Sequence, residues 1–341
     1  MRWSIHPSFG SEARGVLFPR RRGSTLAPIL LMTLALGACA SGPAAPTVGS
    51  SPSPVSTPAP SAATQRFPRT VTDDEGTPIH LSTQPERIVS LTPGTTEILF
   101  AVGAADRVVA TDDASDYPPE ATALDHVASF GEVDLERIVA LETDLVIAGG
   151  NEYTPSEAIA SLRNLDIPVL VAYAASVDGV VADVRLVGEA IGSEAEAEEV
   201  AAQMETELEA LSAAVADAPT PRVFYEIDAS VDLYGPADDS FLADMLERAG
   251  ADAITTGSSL SFLMDLERLV EADPEVIVLG DAAFGVTPEG VAARDAWKTM
   301  TAVQEGAVRP VDDKLVTRPG PRLALGLRSL ILAIHPEARL P

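Results

Sequence analysis

Two acidic side chains occupy matching places in a motif that this chain carries twice. The segment DLERIV at 134–139 returns as DLERLV at 265–270, so that Glu136 and Glu267 follow the same Asp-Leu pair. Two carboxylates at equivalent points of a duplicated body could form ion pairs with a partner that has two-fold symmetry. An acidic residue in the first turn of a helix is also favoured by the helix dipole alone, and that simpler interpretation stays open here.

Each copy of the motif continues into a short apolar run, at 144–147 and at 275–278. An Asp that caps a short helix, followed by four apolar residues, predicts a helix-to-strand unit. The spacing between the copies is far longer than the period of a solenoid repeat. We therefore expect two similar lobes, each with its own sheet.

The N-terminal region has the features of a secretory signal. Arg20, Arg21 and Arg22 precede an apolar run that ends in Leu-Gly-Ala before Cys39. Basic, apolar and small residues in this order are typical of a signal peptide, and the run is too short for a convincing membrane-spanning helix. Cys39 is the single cysteine of the chain, which excludes an intrachain disulfide. Its position resembles a bacterial lipobox, so we expect residues 1–38 to be removed and Cys39 to carry a lipid.

Residues 39–65 are rich in Ser, Pro, Ala and Thr and nearly free of charge. This composition predicts a disordered tether between the lipid and the folded part. The whole chain has a net charge of −28, which disfavours binding to nucleic acid or directly to an anionic membrane surface. Contact with the membrane is expected through the lipid only.

The residues that perform metal and hydrolytic chemistry are scarce or badly spaced. His80, His126 and His335 are far apart in the folded part, so no metal site is predicted. Ser258 and Ser259 lack the G-x-S-x-G context of a hydrolase nucleophile, and no Gly-rich nucleotide loop opens a helix. A surface-anchored enzyme is only a remote alternative, and no cofactor is expected.

The alternation of apolar runs and helical patterns predicts the elements that would position any site. A hairpin at 69–81 precedes strands and helices in alternation, which is typical of an α/β lobe with a mostly parallel sheet. Residues 193–219 interrupt this rhythm, because their larger apolar residues are spaced as one stripe of a long helix. We expect an N-terminal lobe at 66–192, a connecting helix at 193–219 and a C-terminal lobe at 220–341. The stripe consists of Val200, Met204, Leu208, Leu211 and Val215.

Several segments together resemble class III, or helical-backbone, periplasmic binding proteins of the iron and vitamin B12 family. They are RIVSLTP at 87–93, SDYPPEA at 115–121, both DLER copies, VFYEI at 223–227 and RPGPR at 318–322. The segment at 115–121 is similar to the cobalamin-binding branch. The resemblance spans about 85–336, and the number and order of the motifs make it specific.

The resemblance implies two Rossmann-like lobes joined by a single long α-helix, with the ligand held between them. It implies a substrate-binding protein of an ABC importer, outside the cytoplasm and lipid-anchored to the cell membrane, that captures cobalamin or a related corrinoid. The partners would be a permease dimer and its ATPase subunits. In the cobalamin branch one glutamate of each lobe docks on permease arginines, and the matching residues here are Glu136 and Glu267.

Ligands of open α/β sheets bind beyond the carboxyl ends of the strands, and a corrinoid requires apolar or aromatic faces with a few hydrogen-bonding groups. Burial in the core stays equally open for Phe130, which matches a position where the cobalamin branch often has Trp. Arg318 matches a positively charged pocket position, whereas Ala114 and Lys314 depart from the cobalamin pattern. A ferric-siderophore or haem ligand of the same family is the alternative. The predicted ligand-binding residues are Pro93, Asp113, Phe130, Asn151, Tyr234, Phe262 and Arg318.

Overall fold

The computed structural model describes residues 67–129, 131–150 and 153–341. The signal segment, the tether and Cys39 therefore lie outside the described residues, as do Phe130 and Asn151. The described chain opens with an antiparallel hairpin of β1 (Arg69–Thr72) and β2 (Pro78–Leu81). The hairpin expected at 69–81 is confirmed.

The first half of the fold contains a six-stranded sheet in the order β6-β5-β4-β3-β7-β8, in which only the β5–β6 pair is antiparallel. The strands are β3 (Ile88–Ser90), β4 (Val108–Asp112), β5 (Asp125–Ser129), β6 (Glu132–Val133), β7 (Leu145–Ala148) and β8 (Val169–Val171). The helices are α1 (Pro93–Ala101), α2 (Leu135–Ala140), α3 (Ser156–Asn164) and α4 (Val177–Ile191).

The next element is the long helix α5 (Glu194–Ala213), which packs along α4. The buried face of the helix contains the predicted apolar stripe up to Leu211 and two further residues, Ala197 and Ala201. Val200 lies at the edge of this face and is partly buried. The helix ends six residues before the predicted boundary, because the chain passes into turns at 214–217 ahead of Pro219.

The second half contains a four-stranded, all-parallel sheet in the order β10-β9-β11-β12. Its strands are β9 (Arg222–Glu226), β10 (Asp252–Ala253), β11 (Val276–Leu279) and β12 (Val308–Pro310). Its helices are α6 (Phe241–Arg248), α7 (Leu266–Ala272), α8 (Pro288–Ala292), α9 (Thr301–Gln304), α10 (Asp313–Val316) and α11 (Leu323–Ile334). Two separate, mostly parallel sheets confirm the predicted α/β class.

The duplicated motif takes the same structure in both halves. Asp134 caps α2 by accepting a hydrogen bond from Arg137 N at 2.9 Å, and Asp265 caps α7 by accepting one from Arg268 N at 3.0 Å. Each helix leads into the strand that pairs in parallel with the first strand of its lobe, β7 with β3 and β11 with β9. The predicted helix-to-strand units are therefore confirmed.

The helix α5 joins the two halves through their shared apolar core. One cluster contains Leu145 of the first sheet, Met204 of α5, Val278 of the second sheet and Leu327 of α11. The contact with α4 is close, because a Cβ atom on Gly188 would lie 2.1 Å from the Cβ of Ala197. A helix packed this tightly on both sides favours a stiff connection between the lobes.

A buried acid makes the stability of the first half depend on pH. Asp183 of α4 is 5% exposed, and burial together with the Asp74 carboxylate raises its pKa from 3.8 to about 9. An acid whose pKa is raised on folding contributes its full stability below pH 4 and loses it as the pH rises toward 9, by about 1.4 kcal/mol per pH unit at most.

We expect Asp183→Asn to be more stable than the unchanged protein at pH 8 and to have a shallower pH slope of stability between pH 5 and 8, because only the contribution of Asp183 is removed. Urea unfolding across that range measures both quantities. Asp106→Asn is the matched control, because Asp106 is exposed and its replacement should leave the slope in place. An unchanged slope in Asp183→Asn would show that Asp183 is ionised in the folded protein.

Candidate functional site

The carboxyl ends of the parallel strands bring the candidate site residues to one edge of each sheet. In the first half, Pro93 follows β3 as the first residue of α1, and Asp113 follows β4 and is exposed. In the second half, Asp281 follows β11, and Arg318 lies beyond β12 after α10. These edges are where open α/β sheets bind ligands.

The start of α1 lies directly against the Pro-Gly-Pro segment of the second half. A Cβ atom on Gly94 would lie 2.4 Å from the carbonyl oxygen of Pro319. A side chain here would force two backbone segments apart, which explains why glycine occupies this position. The close contact fixes the separation of the two halves at this side of the site.

Ion pairs cross between the halves beside this contact. Arg322 donates to both oxygens of Glu97, at 2.8 and 2.5 Å, and its guanidinium lies 3.9 Å from the centre of the Tyr117 ring. Lys314 and Arg318 both donate to Asp116. Because Glu97 is 3% exposed and paired bidentately, the Arg322–Glu97 pair has the geometry of a strong, specific contact.

A cluster of buried hydroxyl groups holds the first-half side of this contact in place. Ser90 bonds to Thr95 at 2.7 Å and to Thr96 at 2.8 Å, and Thr96 reaches Ser115 at 2.8 Å. Ser115 in turn donates to the carboxylate of Asp112. Burial raises the pKa of Asp112, and the Ser115 hydrogen bond only partly offsets this. The cluster ties α1 to the loop that presents Asp116.

Two tyrosines lie at the same edge of the first sheet and were not among the predicted site residues. Tyr153 follows β7 and Tyr173 follows β8, with ring centres 6.2 Å apart and exposures of 45% and 36%. Both could have been found from the sequence, because the strand-end rule that selected Asn151 applies equally to them. Together they form an exposed aromatic surface.

Tyr234 and Phe262, the remaining predicted ligand-binding residues that the structure describes, lie in the second half. Tyr234 forms isolated bridges with Asp228 and Leu263, and the carbonyl of Phe262 accepts a hydrogen bond from Gly235 N at 2.9 Å. Both side chains are partly buried. Beside them lies an open groove of about 520 Å³ on the second half, lined in part by Leu233, Leu263 and Trp297. Ligand contact by these residues stays a prediction.

Arg318 is less available than the sequence predicts. Its side chain is 13% exposed, and its guanidinium donates to Asp116 at 2.6 Å and to the carbonyl of Ala114 at 3.1 Å. The sequence could not show this, because Asp116 is 202 residues away. The positive charge at this position is therefore matched by a carboxylate of the protein itself.

Glu136 and Glu267 occupy equivalent exposed positions in the first turns of α2 and α7. Their placement agrees with a surface role, which stays a prediction. Within residues 67–129, 131–150 and 153–341, no group of three or more His, Cys, Asp or Glu is arranged to hold a metal ion. In the same ranges, no helix combines the length and apolar character needed to cross a bilayer.

Comparisons with known proteins agree with this architecture. The periplasmic binding protein family matches residues 88–315. An uncharacterized ABC transporter substrate-binding lipoprotein of Bacillus subtilis, YvrC, is 32% identical over 279 residues, which cover 80% of this chain and 88% of the relative. A cobalamin-binding protein of Halobacterium salinarum is 30% identical over 281 residues, 79% of this chain and 74% of the relative.

Solved structures show the same fold. The vitamin B12-binding protein BtuF of Vibrio cholerae has a TM-score of 0.66 at 25% identity, over 74% of this chain and 97% of that one. The haem-binding protein RhuT of Roseiflexus sp. RS-1 has a TM-score of 0.65 at 26% identity, over 74% and 99%. The chain therefore belongs to the periplasmic binding protein family, as a class III member in which one long helix joins two α/β lobes.

Proposed function

We propose that this chain is the substrate-binding protein of an ABC importer and captures cobalamin or a related corrinoid between its lobes. In this proposal Cys39 carries the lipid that holds the protein at the outer face of the cell membrane. The protein delivers its ligand to a permease dimer driven by ATPase subunits, and it performs no catalytic step. The names of the relatives support the transporter class and the corrinoid.

The observation that carries the choice of ligand is the charge balance at the edge of the site. Lys314, Arg318 and Arg322 are cationic side chains that lie where the Pro-Gly-Pro segment of the second half meets α1 and the loop at 114–117. Each of them is paired with Asp116 or Glu97. An anionic siderophore, or the propionates of haem, would require unpaired cations to offset the loss of hydration. A corrinoid, which is fringed by neutral amides, does not.

The aromatic surface of Tyr153 and Tyr173 suits the flat face of a corrin ring. It also supports the second candidate, haem, because a tyrosine oxygen can be an axial ligand of haem iron. The two candidates use different parts of the side chain. A corrin ring would contact the aromatic face, whereas haem iron would bind the phenolic oxygen.

A thermal-shift comparison separates these candidates. A ligand that binds only the folded state raises the melting temperature, by an amount set by its concentration relative to its Kd. We expect cyanocobalamin to raise the melting temperature of the purified protein, and haemin and ferric siderophores to leave it nearly unchanged. A shift by a ferric siderophore without one by cyanocobalamin would transfer the proposal to the siderophore branch.

Tyrosine variants test which part of the side chain is used. The double variant Tyr153→Phe, Tyr173→Phe should retain the rise in melting temperature with cyanocobalamin, because both aromatic rings remain. The double variant Tyr153→Ala, Tyr173→Ala should bind cyanocobalamin roughly tenfold more weakly, or weaker still, since loss of an aromatic contact costs about 1–2 kcal/mol. Binding of haemin that the phenylalanine pair abolishes would instead support haem as the ligand.

A further inference from the structure

The loop at 114–117 places one carboxylate between two cations of the opposite lobe. Asp116 Oδ1 accepts from Arg318 Nη1 at 2.6 Å, and Asp116 Oδ2 accepts from Lys314 Nζ. The backbone of the same loop takes a further guanidinium hydrogen, because the carbonyl of Ala114 accepts from Arg318 Nη2. The loop thus provides acceptors for donors of both Lys314 and Arg318.

The described carboxylates near Lys314 and Arg318, other than Asp116, accept no hydrogen bond from these two cations. Glu97 is bound bidentately by Arg322 and lies 3.8 Å from Arg318. The charges of Lys314 and Arg318 also act on Asp313, but they are joined by hydrogen bonds only to Asp116 among these carboxylates. Among the described residues, no other carboxylate accepts a hydrogen bond from either cation. Removal of Asp116 would therefore leave Lys314 without a hydrogen-bonded counter-ion, and Arg318 with only the longer contact to Glu97.

The carboxylate of Asp116 is held in its ionised form. Partial burial raises its pKa, but the hydrogen bonds from Lys314 and Arg318 outweigh burial, and the pKa is lowered below 3.8. The pairing therefore persists over the whole neutral range. Because the side chain is 40% exposed, the pair is accessible to a competing anion and sensitive to salt.

We propose that Asp116 determines the charge of the ligand that this cleft accepts, by serving as a built-in counter-ion for Lys314 and Arg318. With Asp116 present, an anionic ligand must displace a carboxylate that is already positioned, so a neutral ligand is favoured. Without it, the same two cations form a site for an anionic chelate that carries carboxylates. The inference rests on the proposed function in one respect, which is that the ligand enters between the lobes.

The test compares Asp116→Asn with the unchanged protein by calorimetry, with cyanocobalamin as the neutral probe and ferric citrate as the anionic probe. We expect the variant to bind ferric citrate at least tenfold more tightly, with a gain that shrinks as salt is raised. Its affinity for cyanocobalamin should change by less than threefold. Asp116→Glu keeps the charge and should behave like the unchanged protein. Glu120→Gln removes a nearby exposed charge that makes no part of the candidate site, and it should also leave the selectivity unchanged.

Two results would overturn the inference. One is equal loss of both probes in Asp116→Asn, which would make Asp116 a residue that only positions the lobes. The other is no gain for ferric citrate in a variant that keeps its melting temperature. The ferric citrate comparison does not depend on the corrinoid. If cyanocobalamin binds neither protein but the gain is seen, the proposed function fails while the role of Asp116 stands.

Discussion

Arg294→Met is expected to lower the free energy of unfolding by about 3–5 kcal/mol, because it leaves the buried carboxylate of Glu226 without its counter-ion. Arg294 donates to both oxygens of Glu226, at 2.5 and 2.8 Å, and its guanidinium lies 4.5 Å from the centre of the Trp297 ring. Glu226 is fully buried at the end of β9, and Asp281 beside it is 2% exposed. Neither oxygen of Asp281 has a hydrogen-bond partner within the described part of the chain.

The pH dependence of this loss distinguishes charge from packing. Burial and the neighbouring Glu226 raise the pKa of Asp281 from 3.8 to about 7, so the contribution of Asp281 to stability is lost as the pH rises from about 4 toward 7. In Arg294→Met, the buried carboxylate of Glu226 loses its cation. At low pH Asp281 beside it is protonated, so one negative charge is buried there, whereas at high pH there are two. The loss of stability should therefore be smaller at pH 5 than at pH 8.

Urea unfolding at both pH values measures these differences. Arg185→Met is the matched control, because Arg185 also forms bidentate hydrogen bonds to carboxylates, those of Glu198 and Glu205, but on the exposed surface of α4 and α5. Exposed ion pairs contribute little, so this variant should unfold almost like the unchanged protein. An equal loss for Arg294→Met at pH 5 and pH 8 would attribute the effect to lost packing on Trp297.

Reversing the charge of both exposed glutamates, with Glu136→Arg and Glu267→Arg together, is expected to reduce uptake to background while leaving ligand affinity unchanged. If each glutamate pairs with a permease arginine, each loss weakens docking by about 2 kcal/mol or more. Together they would weaken docking by nearly a thousandfold. Each single variant should have an intermediate effect.

The measurement is uptake of radiolabelled cyanocobalamin by cells that carry the variant as their only copy, beside calorimetry on the purified variant. Glu199→Arg together with Glu247→Arg is the matched control, since both residues are exposed acids on other helices and the change in net charge is the same. A loss of ligand affinity equal to the loss of uptake would place Glu136 and Glu267 in the ligand site or the fold, against a docking role.

The elements that depend on local sequence could be predicted well. Each helix-to-strand unit could be predicted from neighbouring residues alone. The helix caps Asp134 and Asp265 mark where each helix begins, and the apolar runs after the helices mark the strands. The stripe of α5 was likewise visible, except that alanines at 197 and 201 extend it. Alanines are small and only weakly apolar, so they contribute little to the apolar periodicity from which a helix is predicted. They nevertheless allow α4 and α5 to pack closely.

The interactions between distant segments could not be predicted. Glu226 lies in a run that reads as an apolar strand, and nothing nearby indicates that Arg294 will neutralise it. The pairing of Asp116 with Lys314 and Arg318 depends on how the two lobes meet, so Arg318 was expected to be free for the ligand. Charge balance in a site is a property of the tertiary structure, which explains why the candidate ligand residues were harder to predict than the fold.

In the proposed function, one corrinoid molecule binds where the paired charges of the two lobes meet and contacts the aromatic surface at the edge of the first sheet. The most direct measurement is gel filtration of the purified protein after incubation with cyanocobalamin, followed by the absorbance of the ligand across the protein peak. We expect co-elution of one cyanocobalamin per chain, and loss of co-elution in the double variant Tyr153→Ala, Tyr173→Ala. A protein peak without cyanocobalamin, under conditions in which the protein is folded, would contradict the proposed function.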